Sequence, residues 1–212
     1  MADKYASFAD MAKHETENVD YRIRFEIRGS AVAIVAPHGG GIEPGTAELA
    51  AAIAGDDLSF YIFEAIKPSH NRDLHITSTN FFEDRCDRVI ASCAMVVTVH
   101  GQGDETSVAF MGGKHDATAV DANALRKKIE NALTSSAFSV SQSPSGLMGT
   151  ESKNLCNRGT SGAGVQLELT HGLRASMFEN VDKPAGRKTV EQPFHDFVAA
   201  IRSAIEPPPS TA

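Results

Sequence analysis

The segment Ala31-Val-Ala-Ile-Val-Ala-Pro-His-Gly-Gly-Gly-Ile-Glu-Pro-Gly45 passes from six consecutive apolar residues to a proline, a histidine, three glycines and a carboxylate. A continuous apolar run of that kind has the character of a strand covered on both faces, as at the centre of a parallel or mixed sheet. The glycines permit a tight reversal. Glu43 to Ala54, rich in Ala and Leu and followed by Gly55, predicts a helix with a glycine C-cap. Strand, turn and helix thus form one unit.

The flanking sequence extends this pattern. Tyr21 to Arg28 alternates apolar and polar residues, as a half-buried strand should, and Leu58 to Phe63 and Ala94 to Val99 read as further strands. Phe82 to Ser92 has the spacing of an amphipathic helix. Asp121 caps a helix with Leu125, Ile129 and Leu133 at four-residue intervals, and Ser139 to Gly149 is a Ser, Gly and Pro-rich loop. Val165 to Leu169 predicts another core strand. Val190 to Ile205 carries Phe194, Phe197, Val198 and Ile201 at helical spacing before Pro207 stops it. Such alternation predicts a single α/β domain, a mixed twisted sheet with helices on both faces and ligands beyond the carboxyl ends of the strands. Residues 1–20 are expected to form an N-terminal extension, 21–206 the domain itself and 207–212 a flexible tail.

The bulk composition excludes several classes. With 212 residues, 42% hydrophobic and 22% charged, the chain is neither disordered nor membrane-like in character. A net charge of -7 argues against general nucleic-acid affinity, so an anionic substrate would need a locally basic pocket. Cys86, Cys93 and Cys156 match no CxxC pattern and read as reduced, buried thiols. The N-terminus lacks the apolar core of a signal peptide and no run is long enough to span a membrane, so a cytoplasmic protein is expected. A monomer without membrane or nucleic-acid partners is the matching expectation.

Polar residues at strand ends carry the candidate chemistry. His38 leaves an apolar strand and Glu43 stands where a helix begins, so the glycine turn can bring imidazole and carboxylate together. Those donors suit zinc, whose catalytic sites keep three protein ligands plus water. His100 in Thr98-Val-His-Gly101 is the best third ligand, because it too ends a buried strand before a glycine. The same residues also admit a plainer account, with His38 a hydrogen-bonded turn histidine, Glu43 a first-turn carboxylate and His100 a satisfied core side chain. Glu168 alternates with Val165, Leu167 and Leu169, so it should face away from the leucines. There it could accept a proton from metal-activated water, or form a structural ion pair. Arg72, Arg158 and Arg174 lie near loops, where each could bind a substrate carboxylate or simply be solvated. No P-loop or GxSxG sequence is present.

Taken together, several segments resemble the poly-γ-glutamate hydrolases of phages and bacterial genomes, whose fold is similar to that of zinc carboxypeptidases. These are Pro37-His-Gly-Gly-Gly-Ile-Glu43 with Gly45-Thr46, Leu74-His-Ile-Thr-Ser-Thr79, His100-Gly101, Gly112-Gly113, Asn157-Arg158 and Gly164-Val-Gln-Leu-Glu168. The resemblance spans roughly residues 20 to 205 and implies a single Zn2+ ion held by His38, Glu43 and His100, with Glu168 as the catalytic glutamate. It also implies Arg158, Arg72 and Arg174 as substrate-side residues, places His75 near the same cleft and leaves His115 and His171 incidental. The separation of His38 from Glu43 exceeds the His-x-x-Glu of ordinary zinc carboxypeptidases and agrees with the polyglutamate group. The implied reaction is hydrolysis of γ-glutamyl amide bonds. A zinc amidohydrolase or carboxypeptidase acting on another acyl amino acid or a cell-wall peptide would use the same ligands. A non-catalytic metal-binding module would keep the fold but has no use for Glu168. The N-terminal part and Ser139 to Leu155 look unlike the phage proteins, which bears on substrate range.

Overall fold

In the computed structural model, which describes residues 3–205, the apolar run becomes strand β2 (Val32–Gly40), buried throughout its length. It lies parallel to β3 (Ser59–Ala65) on one side and β4 (Met95–Gln102) on the other, and β4 runs parallel to β7 (Val165–Thr170). Antiparallel strands flank this centre: β1 (Tyr21–Glu26) beside β3, and β5 (Ala109–Gly112) beside β7. The short β6 (Val140–Gln142) completes a seven-stranded mixed sheet of order β1-β3-β2-β4-β7-β5-β6.

Side-chain alternation sorts the strands' residues into two cores. Ile34, Ile62, Val97, Val99 and Leu167 face α2 (Thr46–Ala54), α4 (Val120–Ser135) and α6 (Gln192–Ile205). Val35, Tyr61, Phe63 and Val96 face the opposite side, which α1 (Phe8–Met11), α3 (Asp84–Ala91) and the segment through Leu74, Ile76 and Phe81 cover. Each large apolar side chain buried in this way stabilises the fold by about 2 kcal/mol. Helices on both faces of a mixed sheet agree with the fold expected from the sequence. The short α5 (His171–Ala175) follows β7 directly, with Thr170 capping it by accepting from the Leu173 amide.

Several details differ from the sequence reading. Residues 3–20 contribute to the core through Tyr5 and Met11, and Ser7 caps α1 by accepting from the Asp10 amide. β5 is four residues long and ends at a glycine pair, and β6 is three residues inside the Ser and Gly-rich stretch; neither has the length to show a period. The expected tail at 207–212 lies outside the described residues. All three cysteines are buried and free. Among the described residues no helix is long and apolar enough to cross a membrane.

Candidate active site

The sequence reading ended the strand at Ala36 and gave the reversal to the three glycines, yet β2 continues to Gly40 and carries an irregularity on the way. Ala36 pairs with Ile62 and Gly39 with Glu64, so three steps on β2 oppose two on β3. This bulge reverses the alternation of side chains beyond it. Gly39 therefore takes the α2 side, where a Cβ would come within 2.7 Å of the Ala47 methyl. His38 turns instead to the opposite face of the sheet. That is also the face of His100, which alternates with Val97 and Val99, and of Glu168, which alternates with Leu167 and Leu169. His100 and Glu168 are direct neighbours across the parallel β4–β7 pair. One inserted residue thus brings His38 to the side of the sheet that already holds the other two.

The donor atoms then converge. His38 Nδ1 lies 3.1 Å from Glu43 Oε1 and 3.2 Å from His100 Nδ1, and His100 Nδ1 lies 3.7 Å from Glu43 Oε2. His38 Nε2 donates to the Ile76 carbonyl at 2.8 Å, which leaves the lone pair of the neutral ring on Nδ1, aimed at the cluster. Ser78 Oγ stands 3.4 Å from His100 Nε2 and leaves that ring's Nδ1 facing the same point. Tetrahedral donors about 2.1 Å from one metal ion sit about 3.4 Å from each other, so these residues fit a zinc-sized cation. His75 can also be grouped with His38 and Glu43, each offering one donor within 4.8 Å of the others. His100 is drawn in by direct contacts, its Nδ1 3.2 Å from His38 Nδ1 and 3.7 Å from Glu43 Oε2, while His75 bonds Asp3 Oδ1 through Nδ1 at 2.7 Å and keeps its Nε2 toward the cleft.

Electrostatics follow from burial and from this crowding. Burial drives His100 down to about 3 against the pull of Glu43, so its imidazole is neutral at any working pH. Burial alone would raise the Glu43 carboxyl, but the His38 and His100 imidazoles and the Gly101 amide outweigh it and hold the group at about 2. Burial would lower His38, and the Glu43 carboxylate reverses this. A proton shared by His38 and Glu43 satisfies the pair, and a divalent cation on the same lone pairs would displace it. Burial pushes Glu168 well above the usual carboxylate range, and the charge of Glu43 adds to the shift.

Supporting residues that sequence reasoning missed surround these groups. Gln166 Nε2 donates to Glu168 Oε1 and to the Leu147 carbonyl, both at 2.9 Å, while Gln166 Oε1 accepts from Asn154 at 3.0 Å. The only signal in the sequence is its two-residue offset from Glu168 along a strand. Removing this amide in Gln166→Met is expected to lower kcat about 10- to 100-fold with metal content unchanged. Because the amide lowers the Glu168 pKa, the acidic limb of the pH–rate profile should also move to higher pH; a profile that keeps its position would remove Gln166 from this role. Asp3 was read as part of an extension, yet its carboxylate accepts from His75 and from the amide and hydroxyl of Thr77, each at 2.7 Å. Ile76 and Ser78 orient the two histidines from within the Leu74–Thr79 segment.

A cleft of about 350 Å3 opens over the cluster, lined by His38, Glu43, His100 and Glu168 together with Arg72 and His75. Arg72 is exposed, and its guanidinium makes no hydrogen bond or ion pair among the described residues. Arg158 and Arg174 do not line this cleft. Arg158 donates to the Phe81 carbonyl at 2.8 Å, pairs with Asp87 and stacks 4.3 Å above the Phe82 ring, so the substrate role expected from the resemblance has no support in its placement. Arg174 is buried beneath the site, donating to the carbonyls of Leu169, Pro44 and Gln102. It is a clamp that ties the Glu43 turn to the ends of β4 and β7. A Cβ on Gly101 would come within 2.7 Å of its guanidinium, which explains the glycine beside His100. The Gly101 amide in turn donates to Glu43 Oε2 at 2.8 Å.

Two imidazoles and a carboxylate close enough to hold a cation, beside a second, buried carboxylate, are an arrangement that suits a hydrolytic enzyme. More narrowly, the chain belongs to the poly-γ-glutamate hydrolase family, whose family model matches residues 5–200. Protein YmaC of Bacillus subtilis strain 168 is 35% identical over 207 residues, covering 96% of this chain and 84% of its own. The structure of a bacteriophage poly-γ-glutamate hydrolase matches with a TM-score of 0.88 and 31% identity, over 96% of both chains. YndL, solved in an apo, zinc-free form, matches with a TM-score of 0.87 and 27% identity over 96% of this chain and 97% of that one.

Proposed function

We propose that the protein hydrolyses the γ-glutamyl amide bonds of poly-γ-glutamate, with one zinc ion held by His38, Glu43 and His100 and with Glu168 moving the proton. The observation that carries this reading is the convergence of His38 Nδ1 and His100 Nδ1, 3.2 Å apart, on the two oxygens of the Glu43 carboxylate at 3.1 and 3.7 Å, beside a buried carboxylate paired with His100 across β4 and β7. Family membership supports the substrate. The zinc-free description of YndL supports the metal, and imidazole with carboxylate suits it.

Bound there, zinc supplies a Lewis acid that polarises the amide carbonyl and acidifies water. Glu168 does the proton work. Gln166 holds its Oε1, so Oε2 is the atom that accepts the proton of the attacking water and returns it to the leaving amine nitrogen. Arg72 at the rim takes an α-carboxylate of the substrate, and His75, oriented by Asp3, lines the cleft as a second polar contact. One copy of the chain supplies every group named, so a monomer suffices, and synthesis in the cytoplasm is consistent with the scheme.

Linkage specificity tests the substrate. The protein should shorten poly-γ-glutamate and leave α-linked polyglutamate intact; equal cleavage of both, or of neither while another acyl amino acid is hydrolysed, would move the activity elsewhere within the zinc amidohydrolases. Arg72→Ala should raise KM for the polymer about threefold to tenfold at low ionic strength with kcat little changed, and the difference should shrink as salt screens the contact. An unaltered KM across the salt series would release Arg72 from this role.

A further inference from the structure

A second and larger cavity, about 600 Å3, lies beside the turn that carries Glu43. The two cavities are lined by adjacent residues of the same two stretches of chain. Gly40, Gly41, Pro44 and Asn71 line the larger groove, while their chain neighbours Glu43 and Arg72 line the cleft.

The charges of the two differ. Arg72 is the one Lys or Arg lining the cleft among the described residues, against the carboxylates of Glu43 and Glu168. The groove is lined by five Lys or Arg side chains and three carboxylates. All three carboxylates are already engaged. Glu64 is held at 2.9 Å by both Arg22 and Arg24, Glu48 by Arg187 at 2.7 Å, and Asp182 by His171 at 3.2 Å. Lys67 is occupied by Glu15 at 2.7 Å. The ammonium groups of Lys183 and Lys188 are exposed and make no hydrogen bond or ion pair among the described residues. Uncompensated positive charge thus borders the site of a protein whose net charge is -7. Between these cations the wall is apolar, with Pro68, Pro184 and Ile66, the last 41% exposed.

We propose that this groove is a second binding site, which takes the carboxylates of an acidic polymer chain at a distance from the bond being cleaved. The inference rests on the poly-γ-glutamate reading above. A γ-linked glutamate chain alternates carboxylates with methylene pairs, and the groove offers both partners: Lys183 and Lys188 for the charges, Ile66 and the prolines for the methylenes. The consequence is selectivity for length. A polymer engages cleft and groove together, whereas a short oligomer fills the cleft alone, so the groove lowers KM for the polymer only.

The test reverses the two free charges in the zinc-loaded enzyme. Lys183→Glu/Lys188→Glu is expected to raise KM for long poly-γ-glutamate about tenfold at low salt with kcat unchanged, and to leave both constants for a γ-glutamyl trimer as they were. An unchanged KM for the polymer, or an equal loss on polymer and trimer, overturns the proposal. Failure of the functional reading is separable, because polymer binding can be titrated calorimetrically on Glu168→Gln protein without turnover. In that titration, affinity about tenfold weaker in the charge-reversed protein upholds the groove. Equal affinity, or no binding by the parent, overturns it whatever the protein cleaves.

Discussion

Glu168→Gln is expected to cut turnover by about a thousandfold while zinc stays bound and the fold is undisturbed. The substitution preserves shape, and the side-chain oxygen of the new amide can still accept from Gln166. What it loses is the ability to take a proton from water and pass it to the leaving nitrogen. The proposed metal ligands are untouched, since Glu168 contributes none of the donor atoms that converge on His38 Nδ1. Stability should hold or rise, because a buried carboxyl repelled by Glu43 is replaced by a neutral group. Initial rates on poly-γ-glutamate, metal content and thermal unfolding on the same preparation check all three. A variant that keeps turnover within tenfold of the parent would show that the proton travels by another route.

Loss of a metal ligand should be the second large effect. His100→Ala is expected to weaken zinc binding by more than about a hundredfold, the upper range for losing an outer-shell partner, and to abolish turnover with it. His75→Ala serves as the contrast. If the ion sits between His38 Nδ1, Glu43 and His100 Nδ1, removing His75 leaves zinc bound and affects the substrate steps. Competition with a chromophoric chelator separates the outcomes, and zinc lost from His75→Ala but kept by His100→Ala would replace His100 with His75 in the ligand set.

The central strands were legible because burial on both faces leaves a continuous apolar run, as in Ala31 to Ala36, and α6 was legible because Phe194, Phe197 and Ile201 repeat at helical spacing. The side of the sheet on which Glu168 stands was legible from its alternation with Leu167 and Leu169. The direction of His38 was not. Simple alternation from Ile34 and Ala36 would send it toward α2, and only the bulge before Gly39 turns it around. The arginines were the weakest part of the reading, since a guanidinium carries the same charge whether it meets substrate, carbonyl or carboxylate. Arg158 is satisfied by Asp87, 71 residues away in the chain, and Arg174 by Pro44, 130 residues away. Asp3 reaches His75 across a comparable separation, so no local pattern could announce it.

The most direct test of the central claim is chain length of poly-γ-glutamate after incubation with zinc-loaded protein and with the same protein stripped by a chelator. Shortening by the loaded protein, lost on chelation and restored by one equivalent of zinc, is the predicted result. Equal shortening by the stripped protein, or an intact polymer with zinc bound stoichiometrically, would contradict it.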